Sequence, residues 1–263
     1  MSQTFLEKVT AETRERVAAA RSFGYYPKLL RKAEKVAAER RSGSFREAFS
    51  RPGSVNIIAE IKRASPSKGV IRAETDVAQV AKLYTAGGAS AISVLTEPNH
   101  FVGSVADLIT AVRTTTLPIL RKDFIVDEFQ IVESAAAGAS AVLLIVAALP
   151  MNDLKNLHET ATKFGLDVLV EVHDEEEMEK AGDIGSSIIG VNNRNLHSLE
   201  VSLDTSRDLI RMRPAGSVII AESGITSRDE IDELRSLGYN GFLIGETLMR
   251  SGNIVETLRG LTA

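Results

Sequence analysis

The sequence predicts an α/β protein: one (β/α)8 TIM barrel behind a helical N-terminal extension. Three observations carry this. From Ser54 onward, short apolar runs alternate with amphipathic stretches, the pattern of repeated βα units on a parallel sheet. The runs number eight, which is the number that closes a barrel, and 263 residues suit a barrel of ~250. The competing architecture is an open doubly wound sheet, but no G-x-G-x-x-G follows the first strand.

Residues 1–50 form the extension and 51–263 the catalytic barrel. The extension holds 11 basic against 6 acidic residues, and since the chain total is −4, the remainder carries −9. Phe5, Val9 and Val17, then Leu29, Leu30, Ala33, Val36 and Ala37, fall at helical spacing and predict two helices packed on the barrel. Their interspersed Lys and Arg read as a solvated face. The strands are expected at 56–61, 91–96, 118–122, 141–146, 167–172, 188–192, 218–222 and 241–245. Between them, 76–86, 105–113, 128–137, 151–164 and 227–237 have helical periodicity, with Gly87, Gly138, Gly165 and Gly238 as C-caps. The segments 86–95 (AGGASAISVL) and 136–145 (AAGASAVLLI) repeat one unit of helix end, glycine turn and strand start.

Composition excludes several chemistries. With no cysteine there is no disulfide framework, thiolate zinc site, iron–sulfur cluster or cysteine nucleophile, which suits a reducing cytoplasm. The longest apolar run, 141–149, is far short of the ~20 residues of a membrane helix. The first residues carry charges of both signs and no apolar h-region, so no secretory signal is expected. His100, His158, His173 and His197 show no metal-binding spacing, although His173 could still touch a substrate. The mild net acidity argues against a nucleic-acid partner, and a binder using the basic arm would need a steep salt dependence.

Strands buried on both faces should be apolar, so ionisable residues at their C-terminal ends need a reason. In IIAEIK, Glu60 and Lys62 share a face; in VLVEVH, Glu171 and His173 do. The third strand ends in Lys122 and Asp123, the sixth in Asn192, Asn193 and Arg194, the seventh in Glu222 and Ser223. Any one could be a surface charge or a register-fixing ion pair; five strands with the same placement predict an active site, which barrels build at that end. A lysine among cations or in an apolar mouth would have its pKa lowered and act as an acid, and a shielded glutamate would have its pKa raised and act as a base. Lys62 and Lys122 suit a substrate with two anionic groups, and Phe101 and Phe124 could line a pocket for a flat ring. The loops bearing Gly224 and Gly245, after strands seven and eight, look like a phosphate cradle.

These segments are familiar. Residues 59–69 (AEIKRASPSKG), with SVLTE at 93–97, KDFIV at 122–126, GVNNRNL at 190–196, AESGI at 221–225 and FLIGETLM at 242–249, occur in family order, and the chain resembles the indole-3-glycerol-phosphate synthases over nearly its whole length. The resemblance implies a carboxy-lyase of tryptophan biosynthesis. It would close 1-(2-carboxyphenylamino)-1-deoxyribulose 5-phosphate to indole-3-glycerol phosphate with loss of CO2 and H2O, without a cofactor or metal. It matches Lys122 to the principal general acid, Glu171 to the general base, Lys62 to a lysine that holds anionic groups and serves in dehydration, and Glu60 to its carboxylate neighbour. Asn192, Arg194 and Glu222 match substrate-orienting positions. Ser223, Gly224 and Gly245 match the phosphate loops, where Lys62 and the Glu246 backbone are also placed. Ser65 and Ser67 match a closing loop, and Pro66, Phe101, Phe124, Leu144 and Leu196 an apolar lining.

Two residues depart from the pattern. Asn195 stands where aspartate is expected, removing a charge beside Arg194. Glu246 stands where serine is common and is expected to turn to solvent, leaving its N–H to bind. Further expectations are a phosphorylated small-molecule substrate, no membrane or nucleic-acid partner, a cytoplasmic monomer, and at most weak association with other tryptophan-pathway enzymes. Another phosphate-binding barrel enzyme, such as the preceding isomerase or the tryptophan synthase α subunit, fits less well because its Cys and Asp arrangement is missing. A non-catalytic phospho-ligand-binding barrel is the remaining alternative, opposed by Lys122 and Glu171 occurring together.

Overall fold

The computed structural model describes residues 4–50, 53–196 and 198–263; His197 and the far side of the 50/51 boundary lie outside the described residues. Eight strands, β1 (Ile57–Ile61), β2 (Ala91–Leu95), β3 (Ile119–Lys122), β4 (Ala141–Ile145), β5 (Asp167–Val172), β6 (Ile188–Asn192), β7 (Val218–Glu222) and β8 (Gly241–Ile244), form a closed, all-parallel barrel in sequence order. The expected boundaries hold to one residue. Pro118 lacks an N–H, so only its carbonyl joins the ladder, accepting from Ile92 N–H at 3.0 Å.

Alternation of side chains produces two apolar layers. Ile58, Ala91, Leu120, Leu143, Leu169 and Ile220 fill the barrel interior, whereas Ile57, Ile92, Val142, Leu144, Val170 and Ile219 pack outward against helices. The surrounding helices include α4 (Val77–Gly87), α5 (Val105–Thr114), α6 (Glu128–Ala137), α7 (Met151–Lys163), α8 (Glu175–Asp183), α9 (Asp204–Leu209), α10 (Arg228–Leu237), α11 (Glu246–Arg250) and α12 (Ile254–Thr262). Gly138 and Gly238 cap their helices at φ +90° and +113°, as expected. At α4 the left-handed cap is Gly88, not Gly87; Gly87 is the last helical residue and packs against Leu258. Gly165 follows the cap Phe164 in the left-handed region at φ +68°.

The extension forms α1 (Phe5–Ser22), α2 (Tyr26–Glu39) and the short α3 (Ser44–Glu47). Thr4 and Glu7 make a capping box at the start of α1. Helix α2 packs on α6, with Tyr26 stacked on Phe129. Helix α3 seals the N-terminal end of the barrel: Phe45 and Arg46 donate backbone N–H to Asp167, the first residue of β5. Helix α1 lies over the opposite, C-terminal end, where Arg16 pairs with Asp123 at 3.3 Å and the Phe5 ring meets Phe124 edge-on. A short antiparallel ladder, Ala64–Ser65 with Gly69–Val70, follows β1 at this end.

Candidate active site

The C-terminal mouth opens into a cavity of about 740 Å³. Among its lining residues are Glu60, Lys62, Ser65, Pro66, Ser67, Phe101, Lys122, Phe124, Glu171, Asn192, Arg194, Leu196, Glu222, Ser223, Gly224, Gly245 and Glu246. Leu144 is the exception among the expected residues. Its side chain packs outward with Val142 and Val170, while Leu143 and Ile145 of the same strand face the cavity. Period-two alternation makes it impossible for Leu144 to join them.

The register places the charges in one layer. Leu95 is level with Lys122, Ile145 with Glu171, and Asn192 with Glu222. Lys122 reaches across the barrel and bonds two carboxylates, Glu171 Oε2 at 2.9 Å and Glu222 Oε2 at 2.8 Å. Asn192 Nδ2 donates to the other Glu171 oxygen at 2.9 Å. Lys62 pairs with Glu60 at 2.8 Å.

Electrostatics here differ from the expectation of a depressed lysine and a raised base. Burial disfavours the Lys122 ammonium, but Glu171, Glu222 and Glu60 together outweigh it and hold Lys122 protonated well above the usual lysine range. Burial would likewise raise Glu171; Lys122, His173 and Asn192 reverse this and keep it ionised. Glu222 is the raised acid. Burial and then the Glu171 charge push it up to about 7 against the pull of Lys122. Its Oε1 has no hydrogen-bond partner among the described residues, which is the geometric counterpart of that rise.

Local backbone shapes the side of the cavity formed by the loops after β7 and β8. Ser223 and Gly224 are both left-handed, at φ +64° and +82°, a strained turn of the kind found at binding sites. Asn193 Nδ2 braces it by donating to the Glu222 and Ser223 carbonyls at 3.0 and 3.1 Å. Arg194 lines the cavity and donates to the Leu199 carbonyl at 3.0 Å. Asn195 accepts from the Ser198 N–H at 3.0 Å and so shapes the same loop. Glu246 does not simply turn to solvent; it lines the cavity and pairs with Arg250 Nε at 3.1 Å. Sequence reasoning missed Arg250, which also lines the cavity; its spacing of four from Glu246 on a helix was the available signal. It also missed Phe5, which enters from α1.

With this geometry, a model of the indole-3-glycerol phosphate synthase family matches residues 6–261. The chain belongs to the indole-3-glycerol phosphate synthase family. An indole-3-glycerol phosphate synthase of Koribacter versatilis is 48% identical over 263 residues, covering 99% of each chain. One from Endomicrobium trichonymphae is 45% identical over 256 residues, covering 97% of this chain and 98% of its own. Family membership makes the chain a carboxy-lyase of tryptophan biosynthesis acting on a small phosphorylated substrate. Solved structures share the fold alone. A 3-hexulose-6-phosphate synthase from Salmonella typhimurium superimposes at TM-score 0.64 with 13% identity, covering 79% of this chain and 96% of that one. A chain of the tryptophan synthase complex from Pyrococcus furiosus gives TM-score 0.58 at 15% identity, covering 78% and 97%. No described helix is long and apolar enough to cross a membrane.

Proposed function

We propose that the cavity performs the family reaction with Lys122 as the acid of ring closure, Glu171 as the base, and Lys62 and Glu60 as the pair serving dehydration. The carrying observation is Lys122 bonded to both Glu171 and Glu222 at the cavity floor. Strand order supports one orientation of the substrate. Phe101, Phe124, Leu143 and Ile145 come from β2 to β4, and the Gly224 and Gly245 loops follow β7 and β8, on the opposite side of the ring of strands. An aromatic ring on the first wall and a phosphate at the second place the connecting carbonyl over Lys122. Pro66 and Leu196 extend the apolar wall, and Ser65 on the ladder after β1 and Ser67 in its turn form a cover. Arg194 and Asn192 orient the substrate, and Ser223 and the Glu246 backbone join Lys62 around its anionic groups.

The carboxyl-bearing ring carbon attacks the ketone carbon. As the carbon–carbon bond forms, the ketone oxygen takes a proton from Lys122. The carboxylate leaves as CO2, and its bonding electrons restore the aromatic ring. The new hydroxyl then leaves as water with a proton from Lys62, while Glu171 removes a proton from the neighbouring nitrogen-bound methylene, now in the five-membered ring, to form the double bond. Two protons are given and one is taken, a net uptake of one that balances the lost carboxylate charge. The groups needed are one acid at a carbonyl, one at a hydroxyl and one base. Residues 1–50 act as a cover on barrel 51–263, and the working unit is a monomer in the cytoplasm with its sugar-phosphate substrate.

The test is a steady-state assay of purified protein with 1-(2-carboxyphenylamino)-1-deoxyribulose 5-phosphate, following indole fluorescence, beside Lys122→Ala. Wild-type turnover is expected, with kcat of the variant lower by ~10²–10⁴ and KM changed little. Tight binding without wild-type turnover would favour a non-catalytic barrel, and a variant that lost affinity but kept kcat would remove Lys122 from the acid's role.

A further inference from the structure

Glu171 has a third polar neighbour that lies outside the cavity wall. His173 follows β5 on the same face, and its Nε2 is 3.3 Å from Glu171 Oε1. On its other side Nδ1 lies 3.0 Å from Glu177 Oε2, which also accepts the His173 backbone N–H at 2.8 Å. The cap of α8 builds this arrangement: Asp174 accepts from Glu177 N–H, and the Glu177 side chain folds back over the helix start to residue 173. The imidazole is 12% exposed and Glu171 3%.

A neutral imidazole has one N–H and one lone pair, so facing a carboxylate with each nitrogen would set one lone pair against a carboxylate oxygen. Only the imidazolium presents N–H to both. Its Nε2 is at ion-pair distance but has no aligned hydrogen-bond partner among the described residues, so it holds a donor in reserve. That reserve matters when Lys122 turns to the substrate. Glu171 then loses its closest cation in a site it shares with Glu222 from β7 and Glu60 from β1, with only neutral Asn192 from β6 beside it. A buried carboxylate without a cation takes up a proton and ceases to be a base.

We propose that His173 is a positioning residue, an imidazolium held by Glu177 that keeps Glu171 ionised and oriented while Lys122 is engaged with the substrate's ketone oxygen. This rests on the ring-closing reading above. Burial alone would depress the imidazole, yet the two carboxylates that flank it, Glu171 and Glu177, raise it to about 10, so it stays cationic throughout the neutral range.

Two measurements test this. Nitrogen NMR of the ligand-free protein reads the charge of the His173 ring, and pH profiles of kcat and KM compare wild type with His173→Gln and Glu177→Gln. The expected ring is an imidazolium at pH 8. His173→Gln should lower kcat with KM held, the loss deepening toward acid by about tenfold for each pH unit that Glu171's titration rises, and recovering in alkali. Glu177→Gln should show a weaker form of the same profile. A neutral ring at pH 8, a kcat loss equal at every pH, or a change confined to KM would each overturn the proposal. The ring's charge is read without substrate and stands if His173→Gln fails to fold; absence of wild-type turnover would count against the ring-closing reading instead.

Discussion

Glu222→Gln should stabilise the protein at alkaline pH while slowing it. Glu222 bonds Lys122 through one oxygen, and the other has no hydrogen-bond partner among the described residues. Its carboxyl, 4.5 in the unfolded chain, is pushed up to about 7 by burial and then by Glu171. A raised acid binds more protons folded than unfolded, so its favourable contribution is full below 4.5 and is lost as pH rises through about 7. Across that interval, at about 1.4 kcal/mol per pH unit, the buried carboxylate comes to cost about 3 kcal/mol. Glutamine mimics the protonated form, can keep its oxygen on Lys122 and does not titrate. Urea unfolding of wild type and variant at pH 5 and pH 8.5 should therefore show the variant gaining about 2–3 kcal/mol on wild type between the two conditions, with kcat reduced because Lys122 loses one charged anchor. A stability difference equal at both pH values, or one moving in favour of wild type as pH rises, would refute the reasoning.

The same carboxylate explains a glycine. A Cβ at Gly190 of β6 would overlap Glu222 Oε1 and come within 3.3 Å of Leu169 Cδ1. Gly190→Ala should therefore lower stability by about 1–3 kcal/mol and reduce kcat by displacing Glu222, measured by urea unfolding and steady-state assay. At the proposed phosphate loops, Glu246→Ser should tighten competitive inhibition by inorganic phosphate. Removing one like charge about 4 Å away is worth ~1 kcal/mol in water, about fivefold in the inhibition constant, and it also frees Arg250 from its 3.1 Å ion pair; unchanged inhibition would place the phosphate away from Glu246.

The charged side chains of the site were legible because a parallel barrel tolerates them only at one end. The rule that put Glu60 with Lys62, and Glu171 with His173, needs nothing but the pleat. The same rule favours Leu143 and Ile145 over Leu144, since Leu143 and Leu169 share the barrel interior; the resemblance points to Leu144, and alternation decides against it. Partners were not legible. Lys122 meets Glu222 across 100 positions of chain, so the sign of its perturbation follows from closure of the barrel rather than from neighbours in sequence. Depressed lysine and raised base is what burial alone dictates, and two carboxylates on one ammonium reverse both terms for Lys122 and Glu171, leaving Glu222 to carry the rise.

The role assigned to His173 marks an intermediate case. Asp174 followed three residues later by Glu177 is a helix-start pattern, and α8 begins at Glu175. What the pattern does not announce is that the Glu177 carboxylate reaches past the cap to the residue before it. Local capping chemistry thus brings a carboxylate to a histidine beside Glu171. A histidine two residues beyond a strand glutamate is ambiguous by itself; joined to a capping glutamate four residues on, it becomes a two-sided clamp. The outcome is decided by the 3.3 Å approach of Nε2 to Glu171, which the direction of β5 and the first turn of α8 fix together.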